Sequence, residues 1–505
     1  MDNKFDVIVI GAGNAGLVAA ATTAKAGLNT LLLEKHNLPG GCATSFVRGR
    51  YEFEPSLHEL ASVGTKENPD SVYKIFEGLG AQVDWRYEHN MFRAIVKGEK
   101  GYDVTLKSGV ERFCDSVEAA VPGSRAGVRE LFELIKKCQD ALAYITKMKG
   151  KPNGLTMVLK HGDFMRVASH SVEEVMTALG IPEKAQNIIC TYWGYLGVPT
   201  DELNAMHFLN MLNCYVVDGA AMPCKRSHEL SCSLAKVILD AGSHIWYNSE
   251  VTEILYNDEG AACGVVTNGK KLYAKEIISN VIPHNIFNIS KTDKVPEGDL
   301  KLANAREFGI SVATVYLGMD CTMEELGVKD YTVFVMGDPN PRKQYDNRET
   351  DGIYIVNCLN SVVPDSSPEG TCTLFFTIPV FGCDLPKDLK PEDYKRYKNA
   401  IAEKYILDYE QLSGINIREH IEEISIATPV TFARYLGTPD GTIYGYKLSG
   451  WDNLLSRISC EKDEYTIPGL TFCGGHAFRG DGYSSAYVTG DTVGRRIVKK
   501  LKGDC

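Results

Sequence analysis

The stretch Phe5-Asp6-Val7-Ile8-Val9-Ile10-Gly11-Ala12-Gly13-Asn14-Ala15-Gly16 determines the fold. Its first half is mostly apolar and β-branched, which predicts a short buried strand. The glycines that follow have the G-x-G-x-x-G spacing of a dinucleotide-binding turn. Gly11 permits the tight turn, Gly13 lets the backbone approach a pyrophosphate, and Gly16 lets the next helix pack on the strand. The alanine-rich stretch 17–26 predicts that helix.

A second strand is predicted at 31–33, and Glu34 follows it directly. Glu34 lies 18 residues after Gly16, close to the roughly 20 expected for a carboxylate that binds ribose hydroxyls. Asn14 and Ala15 begin the helix, where free N–H groups and the positive end of the helix dipole favour phosphate. The sequence therefore predicts a Rossmann-type β-α-β unit that binds an adenine dinucleotide, and a plain turn between strand and helix is the alternative.

Composition limits the class of protein. The chain has 505 residues, enough for two or three domains, and a net charge of −11 that argues against nucleic acid as a partner. It has no run of about 18 apolar residues for a membrane span, and its N-terminus enters the nucleotide fold without a secretory signal. The 15 cysteines are scattered without C-x-x-C, which favours reduced cytoplasmic thiols and no metal site.

A second glycine turn follows at Pro39–Cys42, and an aromatic and acidic segment follows at 51–54. Together with Leu33-Glu34-Lys35, this order resembles the flavin-dependent phytoene desaturase, carotenoid isomerase and retinol saturase family. The resemblance implies tightly but non-covalently bound FAD rather than NAD. It also implies that Lys35, Gly40, Gly41 and Cys42 lie at the cofactor. The chain departs from the family at Cys42, where many members have Arg or Ser. It departs again at 54–56, where they have Asp-x-Gly-Pro/Ser.

The middle of the chain alternates helical and strand patterns. Apolar residues at helical spacing predict one amphipathic helix within 116–148. The aromatic and glycine-containing stretch 192–199 either lines an apolar tunnel or forms a turn in the core. Strand patterns at 308–380 and a helix at about 391–411 predict an antiparallel sheet with a covering helix. Here the resemblance implies that the backbone of Val251 contacts adenine and that the segment ending at Asn280 closes the dinucleotide fold.

The last segment reads as a strand ending at Gly474-Gly475, followed by a helix at 483–501. The resemblance implies that Gly475, Asp481, Tyr483 and Ser484 lie against the flavin, where a helix N-terminus stabilises negative charge on the reduced ring. The resulting fold class is α/β, a discontinuous FAD-binding domain with an inserted α+β substrate domain. The expected segments are 1–90, 219–290 and 455–505 for FAD, and 91–218 (helical) and 291–454 (antiparallel sheet) for the substrate.

The predicted function is FAD-dependent oxidation or reduction of C–C or C=C bonds in a small lipophilic polyene or retinoid-like substrate. A redox-neutral double-bond isomerase and a flavin amine oxidase are the alternatives. Only one dinucleotide fingerprint is present, so electrons would come from transient NAD(P)H or another partner. No catalytic residue is assigned. The candidates considered are His58, Tyr195, His207, His228, His476, Arg479, Asp481 and Tyr483. A cytoplasmic location is expected, with peripheral membrane contact as an open alternative, and the oligomeric state is left open.

Overall fold

The computed structural model describes residues 3–99, 101–148, 151–448, 450–460, 464–478, 480 and 482–503. The fold is α/β, as predicted, and it contains two seven-stranded sheets. The N-terminal segment begins the first sheet, and most of the strands predicted within 308–380 belong to the second.

The first sheet is built around the Lys4–Ile10 strand. This strand pairs in parallel with Thr30–Leu33 on one side and with Lys270–Ser279 on the other. Val7, Ile8 and Val9 are fully buried, as expected for a parallel strand covered on both faces. The spatial order of the main path is Val251–Tyr256, Ala262–Thr267, Lys270–Ser279, Lys4–Ile10, Thr30–Leu33 and His244–Trp246, and Leu470–Phe472 also pairs with Lys270–Ser279.

Both ends of the described chain meet in one helical layer on this sheet. The Asn14–Lys25 helix packs along the Gly482–Lys502 helix. The approach is close, because a Cβ added at Gly490 would lie 2.3 Å from the carbonyl oxygen of Ala15. This packing brings the N-terminus of the last helix to the first glycine turn.

The second sheet confirms the predicted antiparallel sheet and its covering helix. All neighbouring strands are antiparallel except one parallel pair, Thr332–Met336 with Asn90–Val96. The Tyr394–Ser413 helix packs against this sheet through buried Ala402, Ile406 and Tyr409. The spatial order of the strands is Ile421–Ala427, Ser311–Met319, Cys372–Val380, Ile353–Cys358, Thr332–Met336, Asn90–Val96 and Tyr102–Lys107.

The predicted single helix within 116–148 is wrong. The structure has two helices, Val110–Ala120 and Arg125–Lys147. Pro122 and Gly123 separate them, because a residue before proline disfavours the helical conformation and Gly123 adopts φ of 90°. The apolar spacing continues across the break, which explains why the pattern looked like one helix.

The remaining elements connect and cover the two sheets. The short two-stranded pairs are Phe46–Arg48 with Tyr51–Phe53, and Trp85–Tyr87 with Ala221–Pro223. The other α- and π-helical segments are Ser71–Leu79, Gly154–Lys160, Gly162–Val167, Val172–Ala178, Glu183–Ile189, Trp193–Leu196, Ala205–Leu212, Asn213–Val217, Arg226–Asp240, Pro283–Asn288, Glu297–Ala305, Met323–Leu326, Pro341–Asp346, Pro429–Leu436 and Leu454–Ser459. Short 3₁₀ turns lie at Gly41–Ala43, Cys190–Tyr192, Thr292–Lys294, Leu359–Ser361, Gly382–Asp384, Arg418–His420 and Pro439–Gly441.

Candidate active site

A cavity of about 1100 Å³ is lined by residues of both sheets. Sites for single small molecules are typically about 300–1,000 Å³, so this cavity has room for a dinucleotide and part of a second molecule. Gly11 and Glu34 lie at one part of its wall, and Tyr195 and Thr377 lie at another. The cavity therefore connects the first glycine turn with the second sheet.

The first glycine turn is packed so tightly that larger residues would not fit. A Cβ at Gly13 would lie 2.4 Å from Asn280 Nδ2, and a Cβ at Gly16 would lie 2.0 Å from the carbonyl oxygen of Gly11. Gly11 itself has φ of 90°, in the region that favours glycine. Gly13 thus keeps the cavity open, whereas Gly16 supports the turn from behind.

Glu34 is held in place by the backbone of this turn. Its Oε2 accepts a hydrogen bond of 2.7 Å from the N–H of Ala12, and its Oε1 accepts one of 2.9 Å from the N–H of His36. Each carboxylate oxygen can accept a further hydrogen bond. The carboxylate is therefore fixed at the cavity wall, where the predicted contact with ribose hydroxyls would use its remaining lone pairs.

The second glycine turn lies directly against the first. The N–H of Gly40 donates to the carbonyl oxygen of Ala12 at 2.7 Å. Gly40 has φ of 127°, and a Cβ there would lie 2.3 Å from the carbonyl oxygen of Ala43. A Cβ at Gly41 would lie 3.4 Å from the Cα of Gly13. The two turns form one cradle with exposed backbone, the surface that a pyrophosphate requires.

The last helix completes the cradle. Its first residues, Gly482 to Ser485, line the cavity. The Tyr483 hydroxyl donates to the carbonyl oxygen of Cys42 at 2.7 Å, and the Ser484 hydroxyl donates to the carbonyl oxygen of Ala61 at 2.6 Å. These contacts tie the C-terminal segment to the N-terminal one, so a helix N-terminus faces the cavity.

Most residues predicted to contact the cofactor line this cavity. Gly16 does not, because it packs behind the turn, and Asp481 lies outside the described residues, as does Arg479. The others in the cavity wall are Gly11, Gly13, Asn14, Ala15, Glu34, Lys35, Gly40, Gly41, Cys42, Val251, Asn280, Gly475, Tyr483 and Ser484. Their roles in binding stay predictions.

The aromatic stretch 192–199 has both of the predicted roles. Tyr192 and Trp193 are buried in the core, whereas Gly194, Tyr195 and Leu196 line the cavity. The rings of Tyr192 and Tyr195 are stacked, with centroids 5.3 Å apart. The cavity is thus aromatic and apolar beside the second sheet.

Of the four histidine candidates, His58, His207 and His476 line the cavity and His228 does not. His58 and His476 are poor acids. His58 Nε2 lies 2.9 Å from Thr377 Oγ1. Burial lowers the pKa of His58 to about 3. Burial, with a smaller effect of the Arg457 and Arg306 charges, lowers the pKa of His476 to about 3 as well. Both imidazoles are therefore neutral near neutral pH and have no imidazolium proton to give.

The hydroxyl groups of the two tyrosine candidates donate hydrogen bonds to neighbouring groups. Tyr195 donates to Glu59 Oε1 at 3.2 Å, and Tyr483 donates to the carbonyl oxygen of Cys42. Burial, followed by nearby negative charge, raises the pKa of both phenols well above the ordinary value. These tyrosines therefore position other groups rather than supply a free acid.

Glu59 was missed by the sequence analysis and lies in the cavity wall, 5% exposed. Its Oε1 accepts hydrogen bonds from the hydroxyls of Tyr192 (3.1 Å) and Tyr195 (3.2 Å). Its Oε2 accepts no hydrogen bond from the described residues. Burial raises the pKa of Glu59 to about 8 against the opposing effect of the tyrosines. The available signal was a carboxylate in the stretch Leu57-His58-Glu59-Leu60-Ala61, where a buried charge is costly unless it is paired or hydrogen-bonded.

A second carboxyl group lies near Glu59. Glu88 is 9% exposed, and neither of its side-chain oxygens has a hydrogen-bond partner among the described residues. Burial, followed by the negative charge of Glu59, raises the pKa of Glu88 well above its ordinary value. Glu59 and Glu88 are therefore two buried carboxyl groups with perturbed pKa values, a feature that functional sites often have.

Comparisons with known proteins agree with this geometry. A family model for the NAD(P)-binding Rossmann-like domain matches residues 9–76. The chain is 26% identical over 490 residues to an all-trans-retinol 13,14-reductase of Danio rerio, covering 90% of this chain and 79% of that protein. It is 23% identical over 518 residues to a chloroplastic prolycopene isomerase of Daucus carota, covering 99% and 80%.

The resemblance predicted from the sequence is confirmed. The chain is similar to the phytoene desaturase, carotenoid isomerase and retinol saturase group. A solved structure of a putrescine oxidase double mutant shares the fold, with a TM-score of 0.64 and 16% identity over 98% of this chain and 99% of that one. A flavin-type dinucleotide cofactor fits these findings and the double glycine cradle.

Proposed function

We propose that this protein is an FAD-dependent oxidoreductase that adds hydrogen to, or removes it from, carbon–carbon bonds of a lipophilic polyene or retinoid-like substrate. The observation that carries the proposal is a single cavity that joins the glycine cradle to an aromatic chamber. The relatives named for retinol reduction and prolycopene isomerisation support the substrate class. Bound FAD supplies hydride transfer at its N5 position.

The residues of the chain would hold the cofactor and exclude water. The glycine turns offer backbone N–H groups to the pyrophosphate, and Glu34 faces the ribose. The N-terminus of the Gly482–Lys502 helix favours negative charge on the reduced ring. All of these contacts are non-covalent, and the lack of a second dinucleotide fingerprint in the sequence favours a transient electron donor such as NAD(P)H.

Anaerobic absorption spectroscopy tests this proposal with two probes, all-trans-retinol and a carotene. Bleaching of the oxidised flavin by a polyene supports desaturation, and reoxidation of the photoreduced flavin supports saturation. A rearranged polyene without net change of the flavin supports the isomerase alternative. Gly16→Ala should lose the flavin band because its Cβ would lie 2.0 Å from the backbone carbonyl oxygen of Gly11, whereas Gly78→Ala, which has open space, should keep it. A wild-type protein without a flavin band after reconstitution contradicts the proposal.

An amine oxidase is the second candidate, and the buried Glu59 and Glu88 carboxyls favour it because they could bind an ammonium group. The Tyr483 and Tyr487 rings, however, are T-shaped at 68° with centroids 6.4 Å apart, and Tyr483 donates to the backbone. They do not form the facing pair that an amine cage requires. Reduction of the flavin by putrescine, with no response to polyenes, would establish this candidate instead.

We also propose that the protein binds the cytoplasmic surface of a membrane. Leu155, Val158, Leu159 and Met165 are 69%, 64%, 73% and 50% exposed, on the helices Gly154–Lys160 and Gly162–Val167. This apolar patch is bordered by exposed cations, Lys147, Lys151, Lys160 and Arg166. An apolar face with a basic rim suits a bilayer with anionic lipids. None of the helices in the described part of the chain meets the length and hydropathy needed to cross a membrane.

The position of the apolar patch relates it to the cavity. Asp163 in the patch helices accepts a hydrogen bond of 2.8 Å from Lys137 Nζ. Lys137 belongs to the Arg125–Lys147 helix, and Gln139 of the same helix lines the cavity.

Flotation with phosphatidylserine-containing vesicles tests the membrane proposal. The wild type should float with the vesicles, and Leu155→Glu/Leu159→Glu should not. Leu239→Glu, at an exposed site outside the patch, is the matched control. Loss of a dimer in the double variant, without loss of flotation, would identify the patch as a contact between copies instead.

A further inference from the structure

We propose that Glu59 exchanges the proton that accompanies hydride transfer to or from the polyene, with Tyr192 and Tyr195 as its positioning residues. The proposal rests on the proposed function and names the acid and base of that same site. Two observations carry it. Glu59 lies in the cavity wall and its Oε2 accepts no hydrogen bond from the described residues, whereas the hydroxyls of Tyr195 and Tyr483 donate to other groups.

The geometry leaves Glu59 in the required position. Its Oε1 is fixed by two tyrosine hydroxyls, so the carboxyl plane is held while Oε2 stays available. A proton donor or acceptor must reach the reacting carbon directly or through one water. Glu59 and Tyr195, one of the two donors, both line the cavity, so the carboxyl group lies beside the chamber where a polyene would lie.

The electrostatics favour a carboxyl that carries its proton near neutral pH. Burial raises the pKa of Glu59 to about 8, against the opposing effect of the two tyrosine hydrogen bonds. The charge of Glu59 in turn raises the pKa of Glu88, so Glu88 is not a counter-charge. No lysine or arginine among the described residues forms an ion pair with either carboxyl. The other titratable groups that interact with Glu59 or Glu88 are the phenols of Tyr192, Tyr195, Tyr215 and Tyr331. All of these phenols have pKa values raised by burial, so they are uncharged and do not stabilise an anion by charge.

The step balances in both directions. In saturation, the carbon–carbon π bond is replaced by two C–H bonds. One forms with the proton from Glu59 Oε2–H, and the other forms with a hydride and its electron pair from the reduced flavin, which is oxidised. Glu59 is left as a carboxylate and regains a proton from solvent. In desaturation, the Glu59 carboxylate removes the proton while the neighbouring carbon loses the hydride to the oxidised flavin.

Glu59→Gln is the decisive variant because it keeps the shape and the acceptor for Tyr192 and Tyr195. The probe is all-trans-retinol, mixed anaerobically with the photoreduced holoprotein in detergent micelles. Loss of a general acid should slow reoxidation of the flavin roughly 10²- to 10⁴-fold. Glu77→Gln, at an exposed carboxylate of the Ser71–Leu79 helix, is the control and should react at the wild-type rate. Glu59→Asp should recover part of the lost rate.

A second readout does not depend on turnover. Binding of retinol to the oxidised holoprotein, followed by quenching of retinol fluorescence, should keep its wild-type Kd in Glu59→Gln. A wild-type rate in Glu59→Gln overturns the proposal and leaves the proposed function standing. A Kd that weakens in parallel with the rate also overturns it, because Glu59 would then bind the substrate rather than move a proton. Flavin that no polyene reoxidises even in the wild type shows instead that the proposed function has failed, and this proposal with it.

Discussion

Two buried groups of acidic residues in this molecule are built in opposite ways. In the first, Asp452 is paired with Arg457 at 2.7 Å, and Glu464 is paired with Arg306 at 2.6 Å. Arg457 is 1% exposed and binds both oxygens of Asp452. In the second, Glu59 receives only tyrosine hydroxyls, and the Glu88 side chain has no partner among the described residues.

The presence or absence of a paired cation decides whether a buried carboxyl is charged or neutral. A buried ion pair remains charged because each partner compensates the desolvation of the other. A buried carboxyl without a cation becomes neutral instead, and its proton is then available near neutral pH. The arginine group keeps its charges in compensating pairs, and these charges also help to lower the pKa of His476. The Glu59 group instead keeps an acid at the cavity.

Arg457→Met should have the largest effect on stability, because it leaves the Asp452 carboxylate buried with one fewer partner. We expect the free energy of unfolding to fall by about 3–5 kcal/mol, measured by urea denaturation. Arg495→Met removes an exposed ion pair with Asp491 in the last helix and should cost at most about 0.5 kcal/mol. Equal losses in the two variants would show that the Arg457 pair has no special role.

Glu59→Gln should change the pH dependence of stability. A carboxyl whose pKa is higher in the folded protein binds more protons when folded, so stability falls as pH rises between its unfolded and folded pKa values. For Glu59 this window runs from about 4.5 to about 8. The stability of the variant relative to the wild type should therefore rise by about 1.4 kcal/mol per pH unit in the window. Glu77→Gln should show no such slope, and a flat Glu59→Gln difference would contradict a raised pKa.

Glu88→Gln should have the smallest effect of the three. The pKa of Glu88 is raised by burial and by the charge of Glu59, so Glu88 is itself neutral while Glu59 titrates. Its replacement should therefore leave the pH profile of flavin reoxidation by retinol, and the maximal rate, close to those of the wild type. A profile that moves downward would show that Glu88 is ionised beside Glu59, and a lost maximal rate would show that Glu88 takes part in the proton transfer.

The dinucleotide half of the fold could be predicted from sequence because its information is local. The strand, the spacing of Gly11, Gly13 and Gly16, and Glu34 lie within thirty residues, and each has a steric or electrostatic reason. The end of the Arg226–Asp240 helix is local in the same way, because Gly242, with φ of 76°, follows its last turn. The helix break at Pro122 was present in the sequence, but the continuing apolar pattern concealed it.

The acidic site could not be predicted because its parts are distant in sequence. Glu59, Glu88, Tyr192 and Tyr195 meet only when the second sheet closes over the glycine cradle. The sequence around Glu59 shows polar His58 and Glu59 between apolar residues, and an exposed position would look the same. The histidines attracted attention by residue type, yet burial makes them neutral. The contacts that a side chain makes in the folded protein, rather than its residue type, decide which group can act as the acid.

The most direct test of this account is pH-difference infrared spectroscopy of the holoprotein without substrate, comparing the wild type with Glu59→Gln. The account predicts a protonated carboxyl band that disappears from the wild type with a midpoint near pH 8 and is absent from the variant. A wild-type spectrum in which the Glu59 carboxyl is already ionised at neutral pH would contradict the claim that this protein keeps an acid in its cavity.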